Sequence, residues 1–157
     1  MLYIREQSES DRDEVLALLN AATADLRRVY RPKEAAGRAV AATEDTEFTG
    51  ALVAISEGRV IGTVEYIGCP AVVLVRGLAV HPALRRRGVA RQLMAAIEEI
   101  AIARRKQRLT LDTIKETGNP KVFEQFGFVT YHEAPADRFE GLEGQQVTQT
   151  SMQRVLV

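Results

Sequence analysis

The most constraining feature of this sequence is a change of hydrophobic period on either side of a run of arginines. Ala71 to Val80 is an apolar run ended by His81-Pro82 and reads as a strand. From Val89 onward, Val89, Ala90, Leu93, Met94, Ile97, Ile100 and Ala101 fall on one face of a helix, and Arg104 and Arg105 complement its C-terminus. Between strand and helix stand Arg85, Arg86, Arg87 and Gly88. A strand that passes to a helix through so short a turn predicts an α/β unit, with any ligand at the strand end of the crossover.

The flanking patterns extend that unit. Leu2 to Arg5 reads as a short strand. Ser10, followed by Asp11, Asp13 and Glu14, reads as the capped, acidic start of a helix with Val15, Leu16, Leu18 and Leu19 as its buried stripe. The alanine-rich stretch within Ala21 to Val40 predicts two short helices broken near Arg31-Pro32, because proline disfavours helical geometry in the residue before it. Ala51 to Ser56 and Arg59 to Ile67 flank the hairpin signal Glu57-Gly58 and form an antiparallel meander with Ala71 to Val80. Leu109 to Ile114 predicts a strand, Asn119-Pro120 a helix cap and first turn, and Val122, Phe123 and Phe126 that helix's inner face before Gly127 stops it. Phe128 to Glu133 reads as strand, Ala134 to Gln145 as a surface loop, and Gln146 to Val157 as a closing strand. The sum is one α/β domain over residues 1–157: a mixed, mostly antiparallel sheet with a central parallel crossover, flanked by helices.

Composition narrows the function classes. Lysine plus arginine equals aspartate plus glutamate at 21 each, so there is no general attraction for nucleic acid or an anionic membrane, and any basic function must be local. The lone Cys69 and the distant His81 and His132 give neither a disulfide framework nor a zinc spacing; no metal is expected, and a reducing cytoplasm fits. Met1 to Glu6 carries charge at once and lacks the apolar core of a signal peptide, and runs such as Ala71 to Val75 are far too short to span a bilayer. A cytoplasmic protein is the expectation.

Arg85, Arg86 and Arg87 set three positive charges against the positive end of the helix macrodipole. Each exposed charge of the wrong sign costs roughly 0.3 to 1 kcal/mol, and the sign reverses if a phosphate accepts the free backbone N–H groups and the guanidinium contacts. Gly88 lets the backbone approach such an anion closely.

The segment from Leu78 to Ala90 resembles the GNAT superfamily of acyl-CoA-dependent N-acetyltransferases, whose signature is Arg or Gln, two residues, Gly, one residue, then Gly or Ala; Arg85, Gly88 and Ala90 match it. The resemblance takes in the preceding Leu-Ala-Val-His-Pro and a later helix ending in Gly127-Phe128, roughly Glu44 to Glu133. It implies a GNAT fold of the α+β type, with acetyl-CoA or CoA as co-substrate. Backbone groups of Leu78, Ala79 and Val80 would pair with the pantetheine arm. Arg85, Arg86, Arg87, Gly88, Val89, Ala90 and Arg91 would surround the pyrophosphate, and Asn119 and Phe123 would meet the cofactor from the later helix. Gly77 would mark a bulge that opens a slot for the thioester. The family's dimers make a homodimer an expectation.

Acetyl transfer to an amine needs a neutral nucleophile, yet an alkylamine with a pKa of ~10.4 is mostly protonated at neutral pH. Glu65, on the strand beside the slot, is the preferred proton acceptor. Many family members carry a tyrosine four residues before the Gly-Phe glycine, where it protonates the departing thiolate; that position here is Phe123. Tyr131 or Tyr66 is the alternative phenol, and a thiol pKa of about 8.5 leaves thiolate a tolerable leaving group without full protonation. Arg27, Tyr30 and Arg31 are candidates to hold an acceptor carboxylate, and Asp137 or Glu140 an acceptor amine, in a small molecule or a protein. The competing classes are a non-catalytic acyl-CoA-binding module, which Phe123 motivates, and a nucleic-acid module, against which the balanced charge argues.

Overall fold

The computed structural model describes residues 1–33 and 45–156. Its strands are β1 (Leu2–Glu6), β2 (Tyr30–Pro32), β3 (Phe48–Ser56), β4 (Arg59–Gly68), β5 (Val72–Val80), β6 (Arg108–Ile114), β7 (Val129–Gly141) and β8 (Gln146–Val155). The helices are α1 (Arg12–Leu26), α2 (Val89–Ala103) and α3 (Asn119–Glu124). The described strands form one sheet in the order β1-β3-β4-β5-β6-β8-β7-β2, mostly antiparallel, with β5 and β6 as its parallel pair. That agrees with the mixed α/β sheet expected from the sequence.

The meander β3-β4-β5 follows from its turn residues and alternation. Glu57 (φ +50°) and Gly58 (φ +75°) both take the left-handed conformation that a two-residue hairpin needs. Along β3, Leu52 and Ala54 face α2 with Leu93 and Ile97, whereas Val53 and Ile55 face α1 with Val15 and Leu18. A strand covered on both faces can be an unbroken apolar run, and Ala51 to Ile55 is one.

Four local expectations are corrected. The first helix is entered at Ser8, not Ser10: Asp11 accepts the Ser8 backbone N–H at 2.8 Å and binds Arg5 at 2.6 Å, closing a short turn that leads into α1. The alanines after Asn20 prolong α1 to Leu26 instead of starting a second helix, and Tyr30–Pro32 is an edge strand on β7. Edge strands tolerate proline because one side needs no donor. The rest of the predicted second helix, residues 34–44, lies outside the described residues. Ala134 to Gly141 is not loop but the far half of β7, held between β8 and β2, with a register shift between Pro135 and Glu140 absorbing the proline. Finally, Gly118 (φ +82°), not Asn119, occupies the cap position of α3, and Thr117 Oγ1 accepts the Asn119 N–H at 3.0 Å. The strand–helix–strand passage β6-α3-β7 does not make a second adjacent parallel pair, because β8 inserts between β6 and β7.

What positions the site is the partial pairing of β5 with β6. They are in register only at Val72↔Arg108, Val73↔Leu109 and Leu74↔Thr110, and then part. On its other side β5 stays on β4, but Thr63 pairs with Ala79 and Glu65 with Arg76, so one residue of β4 faces two of β5. Gly77, at φ +65°, supplies the left-handed residue of this bulge.

Candidate active site

The loop from β5 to α2 is built residue by residue. The His81 N–H donates to the Ile61 carbonyl at 2.8 Å, and His81 Nδ1 accepts the Ala83 N–H at 3.1 Å, so the end of β5 and the turn Pro82–Leu84 are tied together. Arg86 (φ +66°) and Gly88 (φ +79°) then bend the chain into α2. No acidic side chain lies in the first turn of α2. Its first N–H groups have no partner within the helix, and Arg86 and Arg87 precede them, an arrangement of the kind that attracts anions. A Cβ built on Gly88 meets nothing within 4 Å. The glycine therefore relieves no clash within the chain; it permits the positive φ and leaves the approach to the N–H groups open.

Beyond Leu74 and Thr110 the separated strands leave a cleft of about 300 Å³. Its walls include Val75 to Leu78 on one strand and Leu111 to Ile114 on the other, Asn119 and Phe123 from α3, and Leu26, Tyr30 and Phe139. Phe123 packs toward the α2 side of the sheet with an edge-to-face contact to Phe128 at 6.1 Å. Tyr30 meets Phe139 edge-to-face at 5.2 Å, and Arg27 stacks on Tyr30 at 5.1 Å. A second hollow, of about 380 Å³, lies beside α2 near Arg91, Glu98, Phe126 and Arg154, where Arg154 and Glu98 pair at 3.0 Å. It holds no part of the β5–β6 separation.

The structure thus brings Leu78, Asn119 and Phe123 to one cleft, with Ala79 and Val80 continuing β5 toward Arg85–Arg91. Val89 is buried beneath this loop, and Arg91 lies 5.4 Å from the Phe126 ring centre. Arg85 reaches Asp25 of α1 at 3.2 Å. The residues expected to do proton chemistry do not line the cleft, although the Glu65 carboxyl carbon lies 3.8 Å from the position of a Cβ on Gly77. Glu65 is ion-paired with Arg76 at 2.8 Å across the bulge and is not in the cleft wall. Tyr131 is 54% exposed on β7, outside the cleft wall. Tyr66 is buried under Gly50 and donates to Glu6 Oε1 at 2.5 Å; burial, then the Glu6 carboxylate, pushes its phenol up to about 12. Arg31 and Glu140, assigned separately to an acceptor's carboxylate and amine, instead bind each other at 3.1 Å. Cys69 sits in the β4–β5 turn. Asp112, Thr113 and Gln149 in the cleft wall were missed, although the alternation of β6 carried a signal for Asp112.

The sequence of residues 15–128 matches the model of the acetyltransferase (GNAT) family. The chain belongs to that family. Comparison with curated protein sequences returns no match. Among solved structures, this acetyltransferase is similar to a protein assigned as a phosphinothricin N-acetyltransferase, with TM-score 0.72, 20% identity, and 100% and 99% of the two chains covered. It is similar also to the ribosomal-protein-S18-alanine N-acetyltransferase of Escherichia coli, with TM-score 0.69, 13% identity, and 99% and 94% covered. A third, assigned as a streptothricin acetyltransferase of Bacillus anthracis and solved with acetyl coenzyme A, gives TM-score 0.71, 15% identity, and 99% and 100% covered. At these identities the likeness is one of fold. Among the described residues, no helix is long and apolar enough to cross a membrane.

Proposed function

We propose that this GNAT acetyltransferase takes acetyl-CoA as co-substrate and transfers the acetyl group to a primary amine of a small molecule or protein by direct attack in a ternary complex. The observation that carries the reading is the succession, along one stretch of chain, of the β5–β6 separation and the open helix N-terminus at Gly88. The β5 backbone from Gly77 to Val80 lacks a strand partner on its β6 side among the described residues. An extended pantetheine arm has the length and the amide groups to take that place, as an added strand does. The N–H groups of Val89, Ala90 and Arg91 and the guanidinium groups of Arg86 and Arg87 are suited to the pyrophosphate. The thioester then lies by Gly77, where Arg76 and Leu78 line the same cleft.

Direct transfer is supported by the place of Cys69 in the β4–β5 turn, outside the described cleft wall. Phe123 stands in the cleft where a phenol would otherwise protonate the thiolate. It supports a second reading, a non-catalytic acyl-CoA-binding module. The discriminating experiment is calorimetric titration with acetyl-CoA followed by free-thiol release over a panel of amino acids, alkylamines, arylamines, aminoglycosides and lysine peptides. Binding with amine-dependent thiol release is expected. Binding without release on any amine would replace transfer by the binding-module reading, and no binding would remove both.

A further inference from the structure

We infer that Asp112, not Glu65, is the carboxylate that receives the acceptor's ammonium group and takes its first proton. The inference rests on the amine-transfer reading above. Three observations carry it. Continuing the β5–β6 register by two residues from Leu74↔Thr110 sets Asp112 opposite Arg76 and beside Gly77, after the strands have parted. Leu109 and Leu111 point into the core under α2, so alternation turns Asp112 to the opposite face, the face on which α1 packs and where Leu26 and Tyr30 wall the cleft. The cofactor side and the acceptor side of the sheet therefore meet at this residue.

The second observation is electrostatic. Among the described residues lining the cleft the side chains charged at neutral pH are Asp112 and Arg76, and Arg76 is ion-paired with Glu65. Asp112 is the acidic group among the described residues of the wall, and it attracts an alkylammonium ion that enters from the Tyr30 side. Glu65, by contrast, lies outside the cleft wall and has one carboxylate oxygen, Oε2, held by Arg76.

The third is orientation. Ser151, the register partner of Asp112 on β8, is buried and donates its hydroxyl to Asp112 Oδ1 at 2.6 Å. One carboxylate oxygen is held while Oδ2 has no protein hydrogen bond among the described residues. In the reaction, an ammonium N–H donates to Oδ2 and its proton passes to the carboxylate and on to solvent. The neutral nitrogen attacks the thioester carbonyl; the C–N bond forms, the C–S bond breaks, and the second proton lost from nitrogen ends on the departing thiolate. The products are the amide and the CoA thiol. Ser151 is a positioning residue in this scheme.

The test uses Asp112→Asn, which keeps the shape and a group able to bond Ser151, together with Ser151→Ala and Glu65→Gln. Acetyl-CoA affinity by calorimetry should be unchanged in all three. With alkylamines found active in the panel, Asp112→Asn should lose on the order of 10² to 10⁴ in kcat/KM, the usual range for a general base, and the acid limb of the wild-type kcat profile should vanish. With anilines, neutral at pH 7, the loss should be less than about tenfold, since no ammonium proton remains to be removed. Ser151→Ala should show the same acceptor-dependent pattern at smaller amplitude. A retained alkylamine rate and acid limb in Asp112→Asn would overturn the assignment. So would an equal loss on both amine classes, or an acceptor-dependent loss in Glu65→Gln. A wild-type protein that binds acetyl-CoA yet acetylates no amine would instead retire the transfer reading itself, and the assignment with it.

Discussion

Replacing Gly88 by alanine separates the demands of the fold from those of the ligand. Gly88 sits at φ +79°, and a Cβ there meets no atom within 4 Å. Alanine therefore brings no clash in the free protein and costs only the left-handed conformation, about 1 to 2 kcal/mol. For a domain of this size that lowers the thermal midpoint by about 2 to 8 °C. The bound state is different, because a methyl group then stands in the open approach to the α2 N-terminus, where the pyrophosphate would lie. Acetyl-CoA at about 100 times its Kd stabilises the wild type by about 2.7 kcal/mol, a rise of about 5 to 11 °C. If alanine weakens binding about 30-fold, the same concentration gives only about 0.9 kcal/mol, or about 2 to 4 °C. Differential scanning fluorimetry of both proteins, with and without acetyl-CoA, reads both effects. A folded Gly88→Ala protein whose ligand-induced rise equals that of the wild type would refute the anion site at this loop.

Three further outcomes follow from the packing, the turn chemistry and the cleft. In Gly62→Ala the new Cβ would lie 2.9 Å from Val89 Cγ1 and 3.1 Å from Leu93 Cδ1, so these side chains or α2 itself must shift; urea denaturation should show a loss of about 1 to 3 kcal/mol, and an unchanged midpoint would contradict the packing described. The Arg5 guanidinium first, then the Ser8 N–H, hold the Asp11 carboxyl well below the usual carboxylate range, so its stabilising contribution is present above the ordinary aspartate pKa and is lost as pH falls through the folded value. Asp11→Asn should therefore be less stable at pH 7, by about 1 to 2 kcal/mol, and should lose less on acidification from pH 5 to pH 3 than the wild type; parallel pH dependences would count against the pair. Phe123→Tyr should leave acetyl-CoA affinity unchanged and alter kcat by less than about tenfold, because thiolate with a pKa of about 8.5 departs without full protonation; a hundredfold gain in thiol release would show that protonation limits the wild type.

The period change at Arg85–Val89, the Glu57-Gly58 hairpin and the glycine bulge at Gly77 were legible because each is written in a few adjacent residues. Hydrophobic period, a demand for positive φ and a cluster of like charges at a helix start are short-range properties. The half of the site proposed for acetyl-CoA inherits that legibility, since it is one strand, one turn and one helix in succession. The acceptor half does not. Ala134 to Gly141 carries proline and charge and has the composition of a loop, yet it is strand because β8 and β2 supply partners from either side. Glu65 reads as a carboxylate beside the slot, and only the cross-strand arrangement hands it to Arg76. Asp112 reads as one acidic residue in an apolar strand, and its place in the cleft depends on where β5 and β6 part, on the face that α1 leaves to it, and on Ser151 39 residues away. The sequence alone determined the α/β unit and the arginine-glycine turn at the start of α2 through local backbone and period constraints. The tertiary structure decided which carboxylate faces the cleft, because that rests on non-local strand pairing and register, which no local stretch of sequence encodes.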